Sequence, residues 1–358
     1  LKKDEIICRD SADVFYLLLN DTNEDEVARR INDMFTKIRQ NTKDFRYEYE
    51  FCCGVASNIE DQEKYTFEQM LTNVMFALAQ SKEASSENIC FFDEEVHKKK
   101  EFENFIESNM QQALDSQCFE MVLQPKMDLK TNSVIAAEAL VRWRLEDGTY
   151  LPPSSFVDIF EKNRFCSKLD FYMLKKAIQQ IRKWIDMGMN PVNISVNQSK
   201  IVFYHENYIS EIKSLLEEYN VSGSYITLEV LESTVIEDID MFNSILTEVK
   251  KLGFSVSLDD FGSGYSSLNV LSKLQIDELK IDRIFLHTKS EVDNQRTKWI
   301  LESIIDIAKK SQILVVVEGV ESKQDDLFIK NLGADIGQGY FYGRPLSISA
   351  FNDLIETK

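Results

Sequence analysis

The sequence contains few of the residues on which several common classes of protein depend. Only five prolines and twelve glycines occur among 358 residues, too few for a disordered or fibrous chain. No apolar run approaches the roughly 20 residues of a membrane-spanning helix. The three histidines and six cysteines show no H-x-H, H-x-x-x-H or C-x-x-C spacing, which argues against a zinc site or a disulfide framework. We therefore expect a soluble, cytoplasmic protein with reduced thiols.

Positive charge is also scarce. Lysine and arginine number 41 against 60 acidic residues, so the net charge is −19. Such a chain repels a phosphate backbone, and we expect no nucleic-acid partner. A small phosphodiester ligand stays compatible with this charge, because bound divalent cations reverse the local field. The start has no initiator Met and no apolar stretch behind its charged residues, so we expect no signal peptide and a fragment of a longer protein.

Two regions with different patterns predict two domains joined by a helix. Residues 1–94 alternate short apolar runs with amphipathic helices, including a buried strand at 14–19, a helix at 23–39 and a strand at 47–56. The first helix would bury Val27, Ile31 and Ile38. Residues 95–116 form a predicted linker helix with Phe102 and Phe105 on its apolar stripe. Residues 117–358 then form the second domain.

The second domain alternates strands and helices over roughly 240 residues. Strands are predicted at 121–124, 135–141, 192–196, 225–230, 255–258, 278–281, 314–317 and near 336. Helices are predicted at 168–187, 205–219, 241–252, 295–311 and 324–331. This alternation predicts a closed parallel barrel of the (β/α)₈, or TIM, type in an α/β fold. An open doubly wound sheet is the alternative, but it usually has a glycine-rich first turn that is missing from this sequence.

Polar residues follow the apolar runs of most predicted barrel strands. They are Glu138, Asn197, Glu229, Asp259-Asp260, Lys280, Glu318 and Gln338. In a parallel barrel the carboxyl ends of the strands meet at one mouth. So many carboxylates cannot all ionise together without cations. Their oxygens favour two Mg²⁺ or Mn²⁺ ions, an arrangement used for phosphodiester cleavage. Any one of these residues alone would be more typical of a helix cap or a surface charge, so the prediction depends on the whole set.

The same residues carry a resemblance to the EAL family. Glu138-Ala139-Leu140 resembles the signature that names the family, and residues 258–268 (LDDFGSGYSSL) resemble its metal-binding loop. Further matching blocks are Ser195-Val196-Asn197, Glu229 with Glu232, Leu279-Lys280-Ile281-Asp282, Glu318-Gly319-Val320-Glu321, Gln338-Gly339-Tyr340 and Arg344-Pro345-Leu346. They cover about residues 105–358 and follow the family's order. The resemblance implies an EAL barrel that hydrolyses the bacterial second messenger cyclic di-GMP to linear pGpG with two Mg²⁺ or Mn²⁺ ions.

Roles for individual residues follow from the resemblance. The implied ligands of the first metal are Glu138, Asn197, Glu229 and Asp259, and those of the second are Asp259, Asp260 and Glu318. Lys280, Glu318 and Asp260 would act in catalysis, with Lys280 beside the nucleophilic water. Glu232 would hold the 259–267 loop. The implied substrate contacts are Gln124, Leu140, Arg142, Gln338, Arg344 and Pro345.

Departures from the family pattern leave every implied ligand in place. Ser263 stands where threonine is usual, Lys126 stands where an aliphatic residue is common after Gln-Pro, and the usual His-Pro is replaced around Arg144. The first region more weakly resembles the second half of a GGDEF diguanylate cyclase domain. There, Ser11-Ala12-Asp13-Val14-Phe15 replaces Gly-Gly-Asp-Glu-Phe. The lost glycines and acid predict a degenerate, regulatory domain without cyclase activity.

Three functions stay open from the sequence. The first is a cyclic di-GMP phosphodiesterase, and the second is a catalytically silent cyclic di-GMP receptor. The third is an unrelated metal-dependent barrel enzyme. Family analogy also implies a homodimer and a bacterial cytoplasmic location, with tethering through parts outside this chain.

Overall fold

A computed structural model shows that the chain forms two compact units, Leu1–Phe105 and Ile106–Lys358. A single helix, α3, covers Glu94–Asp115 and so contains the boundary between them. The predicted domain limits, with a linker at 95–116, stay a prediction. The residues that the structure describes are 1–11, 13–21, 23–41, 50–57, 65–83, 88–232, 239–262, 268–286 and 291–356.

The described residues of the first unit form two small sheets and two further helices. The strands are β1 (Ile6–Ser11), β2 (Val14–Leu18), β3 (Cys53–Val55) and β4 (Ile89–Phe91), and the helices are α1 (Glu24–Asn41) and α2 (Phe67–Glu83). Strands β1 and β2 form an antiparallel hairpin, and β3 pairs with β4 in parallel. Val27 and Ile31 of α1 are buried, as their helical spacing predicts.

Some burial predictions for the first unit are wrong. The strand predicted at 14–19 exists, but Phe15 and Leu18 are 51% and 63% exposed. Its sheet has two strands in the described residues, and a two-stranded sheet provides little surface on which to bury apolar side chains. Ile38, which was predicted to be buried, is also exposed. On the predicted apolar stripe of α3, Phe102 and Phe105 are exposed and Ile106 is buried. The strand predicted at 47–56 is reduced to β3, while residues 47–49 lie outside the described residues.

The second unit is a closed barrel of eight strands. These are β5 (Phe119–Asp128), β6 (Ser133–Arg144), β8 (Asn193–Gln198), β9 (Ile226–Leu231), β10 (Ser255–Phe261), β11 (Glu278–Ile281), β12 (Leu314–Val317) and β13 (Ile336–Gln338). Pairing runs in this order around the barrel, and β13 returns to pair with β5. A two-residue strand, β7 (Tyr150–Leu151), adds to the edge of β6. The predicted TIM-like barrel is confirmed.

The prediction that the barrel is wholly parallel is wrong for its first strand. β5 runs antiparallel to both β6 and β13. The cause is local, because only four residues separate β5 from β6 and a parallel connection needs a dozen or more. Asp128 fixes the turn by accepting hydrogen bonds from the amides of Lys130 and Thr131 at 2.7 and 2.8 Å.

Nine helices in the described residues cover the outside of the barrel, five of them at predicted places. They are α4 (Val157–Lys162), α5 (Cys166–Asp186), α6 (Lys200–Phe203), α7 (Tyr208–Tyr219), α8 (Ile239–Lys251), α9 (Leu268–Lys273), α10 (Glu291–Lys310), α11 (Lys323–Leu332) and α12 (Ile348–Glu356). The last helix is held against α5, where the buried Trp184 indole N–H donates to Asn352 at 2.7 Å. In the described ranges no helix is both long enough and apolar enough to cross a bilayer.

Strand alternation puts polar side chains inside the barrel. On β10, Val256 and Leu258 are fully buried among hydrophobic residues, and Ser257 and Asp259 point the other way, into the barrel. β11 likewise places Glu278 and Lys280 on one face. On β5 the same spacing groups Gln124 with Lys126. The interior therefore contains a polar layer where most TIM barrels bury branched apolar residues.

Candidate active site

The Lys280 ammonium lies at the centre of the predicted cluster. Its Nζ is 2.9 Å from both Glu229 Oε2 and Asp259 Oδ2. It is 2.7 Å from Glu318 Oε1 and 3.4 Å from Glu138 Oε2. Four strands or strand ends thus direct carboxylates at one lysine that is itself 1% exposed. The barrel thus brings four of the predicted carboxylates together at this lysine.

Two amides surround Glu138. Asn197 Nδ2 donates to Glu138 Oε1 at 3.1 Å, and Gln338 Nε2 donates to Glu138 Oε2 at 2.6 Å. Gln338 also lies 3.4 Å from Gln124 Oε1. The strand register explains the arrangement, because Gln124 pairs directly with Glu138 between β5 and β6. These amides fix the orientation of a carboxylate that lies in the middle of β6 rather than at its end.

The backbone is irregular at Asp259-Asp260. The pairing of β10 with β11 shifts register between Leu258 and Phe261, and Asp260 has φ +57°. Non-glycine residues seldom adopt this left-handed conformation, which is often found at functional sites. Ligand oxygens of Asp259, Asp260 and Glu318 lie within 4.8 Å of one another. In a regular strand, Asp259 and Asp260 would point to opposite faces of the sheet. The irregular backbone instead brings both carboxylates close to Glu318.

A second lysine lies in the barrel interior. Lys126 is fully buried, and its Nζ is 2.7 Å from Ser195 Oγ, 2.8 Å from Glu229 Oε1 and 2.9 Å from Glu278 Oε1. Glu229 is thus held by one lysine on each carboxylate oxygen. Lys126 was expected only as a departure from the family pattern, and no role was predicted for Glu278. The spacing of Gln124 from Lys126, and of Glu278 from Lys280, was the available signal, because residues two apart on a strand share a face.

Burial and charge act in opposite directions on the pKa values of the site. Burial raises the pKa of Glu138 and of Asp259 above their ordinary values. Burial also raises the pKa of Glu318 to about 8, against the lowering effect of Lys280. For Glu229, burial is outweighed by Lys126 and Lys280, which lower its pKa to about 2. The cluster contains more negative charge than its two lysines balance, which is the condition that favours binding of further cations.

The donor set fits hard divalent ions. Asp259, Asp260 and Glu318 offer carboxylate oxygens close to one another, and the side chains around them that contact Lys280 are also carboxylates. Mg²⁺ and Mn²⁺ prefer oxygen ligands, whereas zinc sites usually contain sulfur or imidazole nitrogen. Within the described residues, the buried Gln338 Oε1 has no hydrogen-bond partner. The residues present therefore suit Mg²⁺ or Mn²⁺, although they do not distinguish the two.

The other predicted residues are less tightly joined to the cluster. Arg142 is partly buried and donates to its neighbour's carbonyl at 2.8 Å, and burial lowers its pKa. Arg344 is exposed, with its guanidinium 4.3 Å from the Tyr340 ring centroid. Leu140 and Pro345 are half-buried. Glu232 is buried, but the loop it was predicted to hold lies outside the described residues from 263 to 267.

Comparison with known proteins extends over the whole chain. The EAL domain model matches residues 107–345. The bifunctional diguanylate cyclase/cyclic di-GMP phosphodiesterase MucR of Pseudomonas aeruginosa is 28% identical over 97% of this chain and 50% of its own length. The cyclic di-GMP phosphodiesterase PdeR of Escherichia coli K12 is 26% identical over 98% of this chain and 52% of its own length. The chain thus spans about half the length of these relatives.

Solved structures show the same barrel. A complex of the PaMucR phosphodiesterase with cyclic di-GMP is 32% identical, with a TM-score of 0.64, over 69% of this chain and 99% of that chain. The EAL enzyme Bd1971, in a form bound to cAMP and cyclic di-GMP, is 26% identical, with a TM-score of 0.66, over 80% and 75%. The EAL domain family model matches most of the chain, and the barrel superposes on these solved structures. The chain therefore belongs to the EAL domain family.

Proposed function

We propose that this chain hydrolyses cyclic di-GMP to linear pGpG in a metal-dependent reaction. The observation that carries the proposal is the convergence of Glu138, Glu229, Asp259 and Glu318 on Lys280. It occurs in a barrel whose relatives are named cyclic di-GMP phosphodiesterases. A site that only recognised a phosphodiester would have little use for so many carboxylates, because they repel its phosphate groups.

The metal assignment is also a proposal. Two Mg²⁺ or Mn²⁺ ions would be held by the ligand sets implied by the family resemblance. The first set is Glu138, Asn197, Glu229 and Asp259, and the second is Asp259, Asp260 and Glu318. When bound, such ions act as Lewis acids on the phosphoryl group and activate water. The proximity of Asp259, Asp260 and Glu318 supports the second set, and the contact of Asn197 with Glu138 supports the first.

Glu318 would accept the proton of the attacking water. Its Oε1 contacts Lys280 at 2.7 Å, the lysine that the family resemblance puts beside that water. Burial raises the pKa of Glu318 above its ordinary value, which makes this carboxylate a stronger base. Attack of the water oxygen forms a new P–O bond, breaks one P–O3′ bond and opens the ring, and the leaving O3′ takes a proton from solvent to become the 3′-hydroxyl. Lys280 would stabilise the negative charge that develops on the phosphoryl oxygens, while Asp260 completes the catalytic group.

The substrate contacts follow the family resemblance. Gln124, Leu140, Arg142, Gln338, Arg344 and Pro345 would bind the guanine and phosphate groups. Arg344 already packs against the exposed Tyr340 ring, a planar surface of the kind on which bases stack. The partial burial of Arg142 strengthens its attraction for phosphate, because desolvation weakens screening by water.

The first unit is proposed to regulate the barrel as a degenerate GGDEF-like domain. Relatives align over 97–98% of the chain, so their similarity includes most of these residues. The hairpin β1–β2 contains Ser11, Asp13 and Val14 where a cyclase would have Gly, Asp and Glu. We further propose a homodimer in the bacterial cytoplasm. Trp299 and Ile300 on α10, 58% and 52% exposed, give the barrel an apolar surface for such a contact.

A metal-exchange experiment separates the enzyme from a silent receptor. Cyclic di-GMP binding is measured by calorimetry with Ca²⁺, whose looser coordination should support binding but not turnover. Turnover is then followed by chromatography of pGpG after exchange into Mg²⁺ or Mn²⁺, with EDTA as the control. The enzyme is expected to bind in Ca²⁺ and to form pGpG only in Mg²⁺ or Mn²⁺. Binding without pGpG under every condition would support the receptor, and turnover that survives EDTA would exclude the two-metal reaction.

A further inference from the structure

Lys126 is a fully buried charge in the interior of the barrel. It lies on β5, opposite Ala136 of β6 and Gln338 of β13, and its side chain is 0% exposed. The spacing from Gln124 puts it on the inner face of the barrel. An ammonium in this position loses its hydration, so it is tolerated only when its hydrogen bonds and charge are well compensated.

Its three partners come from three different strands. Ser195 on β8, Glu229 on β9 and Glu278 on β11 all accept from Nζ at 2.7–2.9 Å. A lysine ammonium has three hydrogens to donate, and these contacts account for all of them. Lys126 is therefore fixed in position, and its three partners, unlike those of Lys280, include none of Asp259, Asp260 and Glu318. This argues for a role that acts through another residue.

Glu229 is the partner that connects Lys126 to the reaction. Its Oε1 contacts Lys126 and its Oε2 contacts Lys280. Lys280 also contacts three other carboxylates, so its position does not depend on Glu229 alone. Among the predicted metal ligands, the ion pairs of Lys126 involve Glu229. Glu278, whose side chain is 10% exposed, supports Lys126 from the next position on the inner face of β11.

We propose that Lys126, held by Glu278 and Ser195, is a positioning residue that fixes Glu229 by Oε1 so that Oε2 faces the metal cluster. This inference rests on the proposed function, because it takes Glu229 as a metal ligand. Partners that orient metal ligands typically change metal affinity by 10–100-fold when they are removed. Most barrels have apolar side chains at this level. Here the Lys126–Glu278 ion pair takes their place and orients Glu229.

The test is the Mn²⁺ affinity of Lys126→Met/Glu278→Gln in the full chain. This double variant removes both members of the pair, so no buried charge is left without a partner. The matched control is Lys250→Met/Asp277→Asn, which removes a 2.8 Å ion pair on the outside of the same barrel. Mn²⁺ binding is titrated by electron paramagnetic resonance without substrate, and the thermal midpoint of each metal-free chain is recorded. Hydrolysis is measured as a function of Mn²⁺ concentration.

We expect the Mn²⁺ dissociation constant to rise at least tenfold in the double variant and to stay unchanged in the control. The Mn²⁺ midpoint for hydrolysis should shift by the same factor. A lower thermal midpoint with unchanged Mn²⁺ affinity would show that the pair only stabilises the barrel, and would overturn the inference. If the double variant does not fold, Ser195→Ala takes its place, with a severalfold rise expected and no change contradicting the proposal. A parent chain that neither binds Mn²⁺ nor forms pGpG would instead overturn the proposed function.

Discussion

Lys280 makes more contacts with the proposed metal ligands than any other single side chain in the described site. Replacing it with methionine keeps most of the volume and removes the charge. We expect Lys280→Met to lower kcat for cyclic di-GMP by about 10²–10³, the usual cost of losing one charge-stabilising donor. Lys330→Met is the control, because Lys330 pairs with Asp326 on the outside of the barrel at 2.8 Å. Equal kcat values for the parent and Lys280→Met would remove Lys280 from the reaction.

Asp170 on α5 is a partly buried carboxyl whose protonation is expected to affect the stability of the fold. Burial raises the pKa of Asp170 to about 7 from the 3.8 that is usual for aspartate, although it accepts hydrogen bonds from the Ser199 amide and hydroxyl. The folded chain therefore binds a proton that the unfolded chain releases between these pH values. The stability that this proton provides is fully present below about pH 3.8 and is lost as pH rises to about 7.

The Asp170→Asn variant tests this linkage. Its amide keeps a hydrogen-bond acceptor for Ser199 and does not titrate. Between pH 4.5 and 7.5 we expect the parent to lose on the order of 2 kcal/mol more unfolding free energy than the variant, because the folded-state pKa is higher. Urea denaturation of both chains in EDTA at several pH values measures the difference. Parallel pH profiles would contradict the raised pKa.

Individual residues of the cluster could be found from the sequence because each follows an apolar run, but their contacts could not. The set Glu138, Glu229, Asp259, Lys280 and Glu318 is brought together as predicted, while the assignment of each residue to a metal stays a prediction. Lys126 could be placed on the inner face by alternation with Gln124. Its partners could not be named, because they belong to three strands whose register is fixed only when the barrel closes.

At the scale of the elements, the turn after β12 makes a specific demand on glycine. Gly319 follows Glu318 with φ +67°, and a Cβ added there would lie 2.2 Å from the Cβ of Arg283. Gly148 has a similar φ of +83°, but no described heavy atom lies within 4 Å of its added Cβ. We expect Gly148→Ala to cost about 1 kcal/mol from backbone strain alone. Gly319→Ala should cost at least about 2 kcal/mol, because overpacking adds to the strain.

Urea denaturation and pGpG formation by the two variants test this difference. Gly319→Ala should also lower the rate of hydrolysis. The added methyl group pushes the turn away from Arg283, and the neighbouring Glu318 moves with the turn. Gly148→Ala should keep the parent's activity. Equal losses of unfolding free energy in the two variants would mean that Arg283 moves aside without cost, and would contradict the predicted overpacking.

The element types were largely predictable, but two features of the strands were not. Helices such as α5 and α7 follow from apolar residues at helical spacing, and their ends agree with the prediction within a few residues. The direction of β5 depends on the tight turn at Asp128, which was not predicted from the sequence. The irregular backbone at Asp259-Asp260 depends on the neighbouring strand β11, so no local sequence pattern specifies it.

At the scale of the whole molecule, the charge of −19 and the acidic cluster predict stabilisation by divalent ions. A ligand that binds only the folded chain adds about 2.7 kcal/mol at a concentration 100 times its dissociation constant. We expect Mn²⁺ to raise the thermal midpoint of the parent by several degrees. Glu138→Gln should show a smaller rise, because it keeps the size of the side chain and removes one ligand charge. An equal rise in both chains would place the stabilising ions elsewhere.

The most direct measurement of the central claim is hydrolysis of cyclic di-GMP by the whole chain. The parent, Glu138→Ala and a surface control, His205→Ala, are each incubated with cyclic di-GMP and Mg²⁺ or Mn²⁺, and pGpG is followed by chromatography. We expect pGpG from the parent and from His205→Ala, and none above the buffer blank from Glu138→Ala. No pGpG from the parent, or the same rate from Glu138→Ala as from the parent, would contradict it.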